Sequence, residues 1–246
     1  MKDIFKVFDD YVNNYDLNNK DIKLKYNHSY RVMKLSEKYS KLLGYSDEDI
    51  RLATIIGLFH DIGRFKQLKV YKTYDDSKSI NHALLGSKIL FEDNLIEKIT
   101  DNKNDYEIIK FAIENHNKLE IEKTNNKRAL MHAKLIRDTD KLDIIFLEGY
   151  LDETKIRSTK DDISKEVMDS FMKHESILYE YRKNLNDSIA VYFSYAFDIN
   201  NDITLEELKQ NYTYFYKIMD TNNKFKEIYE EIVKYIDERI GKNARN

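Results

Sequence analysis

No cysteine occurs anywhere in the chain. That absence excludes disulfides, thiolate metal sites, cysteine-held iron-sulfur clusters and cysteine nucleophiles together. Any metal must be held by nitrogen and oxygen. Proline is also absent and there are only six glycines, so the chain lacks the punctuation of sandwiches and barrels and sets no obstacle to long helices. The dispersed glycines form neither GxGxxG nor GxxxxGK[ST], which removes the common phosphate-cradling loops. No apolar run approaches the roughly 18 residues a membrane span needs, so no membrane partner is expected. The 41 basic and 44 acidic residues are interspersed, for a net charge of -3, without the basic stripe a nucleic-acid polymer demands. The opening MKDIFKVFDDYVNNYD carries acidic residues throughout and no cleavage-type small residues, so it does not read as a secretory signal; a cytoplasmic location is expected.

What is present reads as all-α. Hydrophobic residues make up 41% of the chain, enough for a full core. Helical periodicity predicts helices near 3–14, 23–43, 47–61, 80–92, 104–116, 127–149, 161–184, 186–197, 204–219 and 223–241. Gly44 is suited to end one helix in a left-handed turn, and Ser46 to cap the next, whose first turn is acidic. That helix is apolar on nearly all faces from Ile50 to Phe59, as a central buried helix is, and His60-Asp61 terminates it. No Gly- or Ser-rich linker interrupts the chain. One domain is expected over 1–246, with a metal-binding core at 23–149 and a helical extension at 150–246 packed on it. The rings of Tyr192, Phe193, Tyr195 and Phe197 are expected in the core of that extension; stacking on a nucleobase is their functional alternative.

Six residues carry the functional content: His28, His60, Asp61, His82, His116 and Asp140. Imidazole and carboxylate hold catalytic divalent metals, and these recur near the ends of successive helical patterns. Any one of these histidines alone would read as a core histidine satisfied by its neighbours; the number and order of them favour a metal site. Small Gly86 at i+4 from His82, and Ala112 at i−4 from His116, would leave room for an ion. His132 and His174 have no place in the pattern. Near the end of it, Asp138 and Asp140 point to nearly opposite helix faces at about 100° per residue, whereas Asp140 and Asp143 share one.

The segments HSYRV, LFHDIGRF, INHALLG, AIENHN and IRDTDKLD, in that order between His28 and Asp143, resemble the HD superfamily of metal-dependent phosphohydrolases. The order His, His-Asp, His, His, Asp is similar to that of members holding two metal ions. The resemblance implies that His28, His60, Asp61 and Asp140 ligate a first ion, with Asp61 bridging to a second held by His82 and His116. It also selects Asp140 over Asp138, which is then expected as a solvated helix residue, with Asp143 supporting the ligands. The Gly-Tyr-Pro signature of one cyclic-dinucleotide phosphodiesterase group is missing, so that subgroup is not expected.

The implied cofactor is a pair of divalent transition metals, drawn from Mn, Fe, Co, Ni and Zn, with Mg as an alternative. Two such ions can share and acidify a water for in-line attack on phosphorus. Charge on the phosphoryl oxygens would be met by Arg64, expected in a tight Ile-Gly-Arg turn, by Lys141, beside the metal aspartate, and by Lys78, in a loop before His82. Asp61, Arg64 and Lys141 are thus the expected catalytic set, and Arg64, Lys78 and Lys141 the phosphate contacts. The expected function is hydrolysis of a phosphoester or phosphoanhydride in a small molecule, a nucleotide above all. A two-iron oxygenase and a nucleotide-binding module without turnover are the alternatives.

Overall fold

The structure, a computed structural model, describes residues 2–144, 161–219 and 225–243. Every regular element among the described residues is helical, as expected for an all-α chain. The chain divides into two compact units, Met1–Asp143 and Ile144–Asn246.

The first unit is built from α1 (Ile4–Val12), α2 (Lys20–Leu42), α3 (Asp47–Phe59), α4 (Ile62–Tyr71), α5 (His82–Phe91), α6 (Asn104–Asn115) and α7 (Lys127–Ile144). Helix starts follow local chemistry: Asp3, Asn19, Ser46 and Asn81 each accept backbone N–H groups of the helix they open, satisfying donors that would otherwise be orphaned. The α3 helix is central, with Leu52, Ala53 and the run Ile55–Phe59 buried. Phe8 of α1 packs edge-on against Phe59 and Phe65 with ring centroids 5.5 and 5.9 Å apart.

Two glycines set the closest approaches. A Cβ at Gly57 would lie 2.7 Å from Ser36 Oγ and 2.8 Å from Met33 Cα, so α3 lies directly on α2 there. Ser36 Oγ is also 2.9 Å from Thr139 Oγ1, which brings α7 to the same point. A Cβ at Gly63 would come within 2.2 Å of the His82 carbonyl and 2.7 Å of Gly86 N, and one at Gly86 would touch Ile62 and Gly63. The space at Gly86 therefore serves the packing of α4 on α5 rather than an ion.

The structure differs from the periodicity in one instructive place. The pattern predicts one helix ending at Asp61 and a turn at Ile62-Gly63-Arg64, but Ile62 begins α4, whose missing signal is the glycine in its first turn. Asp61 is thus the N-cap between two helices, and its side chain makes no capping bond.

The second unit holds α8 (Lys165–Met172), α9 (Leu185–Ser194), α10 (Asp202–Met219) and α11 (Lys226–Asn243). The buried Asp187 closes a capping box with Asn184 and also accepts from Ser164 N and Oγ, so one carboxylate organises two helix starts. Phe193 is buried against Tyr212, Phe215 and Phe225, while Tyr192, Tyr195 and Phe197 are half-buried. Phe197 packs on Phe171, His174 and Tyr235. The helix expected over 161–184 stops at Met172, because His174 takes φ +59° and its ring is held by Phe197, Tyr235 and Glu231. Positions 145–149 and 223–224 of two expected helices lie outside the described residues. No described helix is long and apolar enough to cross a membrane.

Candidate metal centre

All six residues singled out in the sequence converge in the first unit. His28 comes from α2, His60 and Asp61 from the α3–α4 joint, His82 from the first residue of α5, His116 from the C-cap of α6 and Asp140 from α7. The four imidazoles and Asp61 are buried; Asp140 is half-buried.

Burying so many polar groups is costly unless each finds a partner, and every imidazole does so through Nδ1. His60 Nδ1 lies 2.8 Å from the Gly57 carbonyl and His116 Nδ1 2.6 Å from the Ile113 carbonyl. Each of these residues closes a helix by donating to the carbonyl three residues back, one of those a helix end leaves without a partner. His28 Nδ1 is 2.6 Å from Asp143 Oδ2, and His82 Nδ1 is 2.6 Å from Asp76 Oδ2. A carbonyl or carboxylate can only accept, so the proton of each neutral ring sits on Nδ1 and the Nε2 lone pair points inward. His116 therefore makes the capping bond of an ordinary helix-end histidine and still offers a ligand atom.

The Nε2 atoms surround Asp61 in two pairs. Asp61 Oδ2 is 3.6 Å from His28 Nε2 and 3.7 Å from His60 Nε2. Its Oδ1 is 3.3 Å from His82 Nε2 and 3.7 Å from His116 Nε2. Asp140 Oδ1 completes the first pair, 3.1 Å from His28 Nε2 and 3.6 Å from His60 Nε2. Two groups have the spacing to hold an ion: His28, His60 and Asp140, and His60, Asp61 and His116. Fit to a metal is supported by His28 Nε2 and His60 Nε2, both fully buried and without a hydrogen-bond partner.

The electrostatics suit cation binding. Burial pushes the Asp61 carboxyl up, but Lys25 and then His60, His116 and Arg64 outweigh it and hold it well below the usual carboxylate range. Asp140 is likewise held well below, burial being outweighed by His28 and His60. Burial and the charge of Arg64 lower the His82 pKa to about 4, against the pull of Asp76, so the ring is neutral near pH 7. Burial and Lys25 press on His28 in the same sense, yet Asp140 and Asp143 prevail and raise it.

Around the six stands a shell of which the sequence disclosed only part. Asp143 accepts from Arg31 Nε at 2.6 Å as well as facing His28, so it is buried beneath the ligand rather than solvated. Asp138, expected at the surface, is also buried, on the Tyr45 side of α7 where its charge helps raise the tyrosine pKa. Asp76 was missed. It accepts from Arg64, Gln67 and Asn117 while holding His82, so it ties the loop between α4 and α5 to the centre. Its distance from His82 in sequence hides it, though Asp75-Asp76 in a polar loop before a helical histidine is the available signal. Arg137 was missed too: it is buried and donates to the carbonyls of Asn115, Lys118 and Leu119, fixing the chain around His116. Lys25, one turn before His28, forms an ion pair with Asp61 Oδ2 at 2.7 Å.

The expected phosphate contacts divide. Arg64 Nε is 3.6 Å from Asp61 Oδ1, but its Nη1 donates to the Tyr74 carbonyl, Asp76 and Gln67. Lys78 pairs with Asp75 at 2.9 Å and its side chain is 73% exposed. Lys141 is half-buried in the last turn of α7, next to Asp140. His132 stands apart, 3.0 Å from Asp49 and edge-on to Tyr45, and His174 belongs to the second unit.

A helical unit that buries four imidazoles around two carboxylates, with ligand atoms turned inward, is in its class a helical domain with a donor set that could hold a metal. More specifically, the chain carries an HD domain: residues 26–145 match the family model of that description, and all six residues lie within the match. Neither curated proteins nor solved structures give a match to the chain. The HD domain and the His/Asp clusters together support a metal-dependent hydrolase in general.

Proposed function

We propose that this protein is a phosphohydrolase using two divalent ions, cleaving a phosphoester or phosphoanhydride in a small molecule of the nucleotide class. The observation that carries it is the placement of Asp61, whose two carboxylate oxygens each face a separate pair of inward-pointing imidazoles. A bridging carboxylate has this geometry. His28, His60 and Asp140 would hold one ion with Asp61 Oδ2; His82 and His116 would hold the other with Oδ1. When bound, such ions supply an acidified water and Lewis acidity toward a phosphoryl oxygen.

The chain's own residues set the conditions for that chemistry. The Nδ1 bonds fix ring orientation before any ligand arrives, which lowers the cost of assembling the site. Asp61 and Asp140 are ionised in the neutral range and counter the added positive charge. A small phosphorylated substrate is the partner this chemistry calls for. The test is phosphate release from a panel of nucleotides and other phosphorylated metabolites with Mn, Co, Ni, Fe, Zn and Mg supplied in turn. Turnover by the natural chain should fall to background in Asp61→Ala and His60→Ala proteins that keep their helical content. Equal turnover in both would overturn the proposal.

A further inference from the structure

Lys25 is the cation nearest the reactive centre, yet it lies outside the six ligand candidates. Its ammonium is 2.7 Å from Asp61 Oδ2, the oxygen that also faces His28 and His60. Its position is set from three sides: by α2, where it lies one turn before His28, by Asp61, and by the ring of Tyr74, whose centroid is 5.9 Å from the ammonium. Tyr74 is itself tied to the start of α2 by a hydrogen bond from its hydroxyl to the Asp21 carbonyl, 2.9 Å long.

Exposure shows where a substrate can reach. The side chains of the four imidazoles and Asp61 are 4% exposed or less, whereas Asp140 is 17%, Arg64 16% and Lys25 10% exposed. Around Asp61 and its imidazoles, solvent reaches these three side chains and Asp76, which is 30% exposed. Among them Arg64 spends its Nη1 on the Tyr74 carbonyl, Gln67 and Asp76 and keeps its buried Nε, 3.6 Å from Asp61 Oδ1, without a hydrogen-bond partner, while the Lys25 ammonium donates to Asp61 Oδ2 at 2.7 Å. An ammonium and a metal ion drawn to the same carboxylate oxygen repel each other, and an anion bridging both relieves the repulsion. A phosphoryl group does this with two of its oxygens.

We infer that Lys25 is a catalytic residue that contacts a phosphoryl oxygen of the substrate and neutralises its charge as the bond to the leaving group breaks. The inference rests on the phosphohydrolase reading above. It makes the centre selective for anionic substrates over neutral esters, and it leaves Arg64 as the residue that positions the α4–α5 loop.

The experiment compares the natural chain with Lys25→Met and Lys25→Arg, all loaded with manganese. Metal content is read by mass spectrometry and inorganic phosphate binding by calorimetry, beside turnover. Lys25→Met should keep its metal content, bind phosphate at least 10-fold more weakly and lose about 10²-fold in kcat. Lys25→Arg should recover part of both. Unchanged phosphate binding in Lys25→Met overturns the inference and assigns Lys25 to countering the Asp61 charge alone. So does a loss that simply tracks lost metal. If the loaded natural chain neither binds phosphate nor turns over any phosphorylated compound, the phosphohydrolase reading falls and this inference with it.

Discussion

His82 Nε2 and His116 Nε2 face each other at 3.0 Å while the Nδ1 of each is taken by an acceptor, Asp76 Oδ2 and the Ile113 carbonyl. With both protons on Nδ1, two lone pairs meet in a buried space, and a cation between the rings and Asp61 resolves the conflict. Replacing either histidine by alanine should lower bound manganese from about two ions per chain to about one. Metal analysis after gel filtration checks this; an unchanged content would remove both residues from the ligand set.

Asp76 aims His82 without touching Asp61. Asp76→Asn keeps the shape of the side chain but loses the charge that fixes the Nδ1 proton, and should weaken the ion assigned to His82 and His116 by about 10- to 100-fold. Competition with a chelator measures it, and the first ion should be unaffected. The same change at Asp143 should instead weaken the ion at His28.

The acid sensitivity of the metal-free protein has a definite sign. The folded-state pKa of His82 is lowered to about 4, so between its unfolded value near 6.5 and that pKa the unfolded chain binds more protons. Stability contributed by this group is present above about pH 6.5 and is lost as pH falls toward 4, by about 3 kcal/mol in all. His28, raised by Asp140 and Asp143, works in the opposite sense and in a different window: its contribution is present below about pH 6.5 and is lost as pH rises above that. A comparison of natural chain and His82→Asn isolates the term: in chelator, the denaturation midpoint of the natural chain should fall more steeply over that window. Parallel curves would contradict it.

Gly63 admits no side chain, since a Cβ would stand 2.2 Å from a backbone oxygen. Gly63→Ala should force α4 and α5 apart, with a loss of roughly 1 to 3 kcal/mol, and should impair metal binding because His82 opens α5. Thermal unfolding with and without manganese reads both effects. Gly44→Ala is the control: it meets nothing within 4 Å and has only its φ of +72° to strain it, so metal content should not change.

Much of this was written in local patterns. The all-α class followed from periodicity without proline, and the convergence of six residues from five helices was anticipated from their types and order. The α4 start was not, because Gly63 looks like a turn in sequence and its true role depends on how close α5 approaches. Asp138 looked like a surface charge in a lysine-rich helix, and only its setting beside Tyr45, from the α2–α3 connection, shows it buried; Asp143 was expected beside the ligands, but its pairing with Arg31 was not. Lys25, Asp76 and Arg137 share that property. Each acts on a residue that is remote in sequence or belongs to another element, so no spacing rule reveals it.

The four imidazoles are aimed by two kinds of anchor, and this divides the centre's capacity for change. His60 and His116 are oriented by main-chain carbonyls of their own helices, which no point substitution of a neighbour can delete. His28 and His82 are oriented by the carboxylates of Asp143 and Asp76, each a single codon away from an amide or an alanine. Half of the centre is therefore fixed by the fold itself, and the other half can be retuned one mutation at a time, one residue of each kind on either side of Asp61.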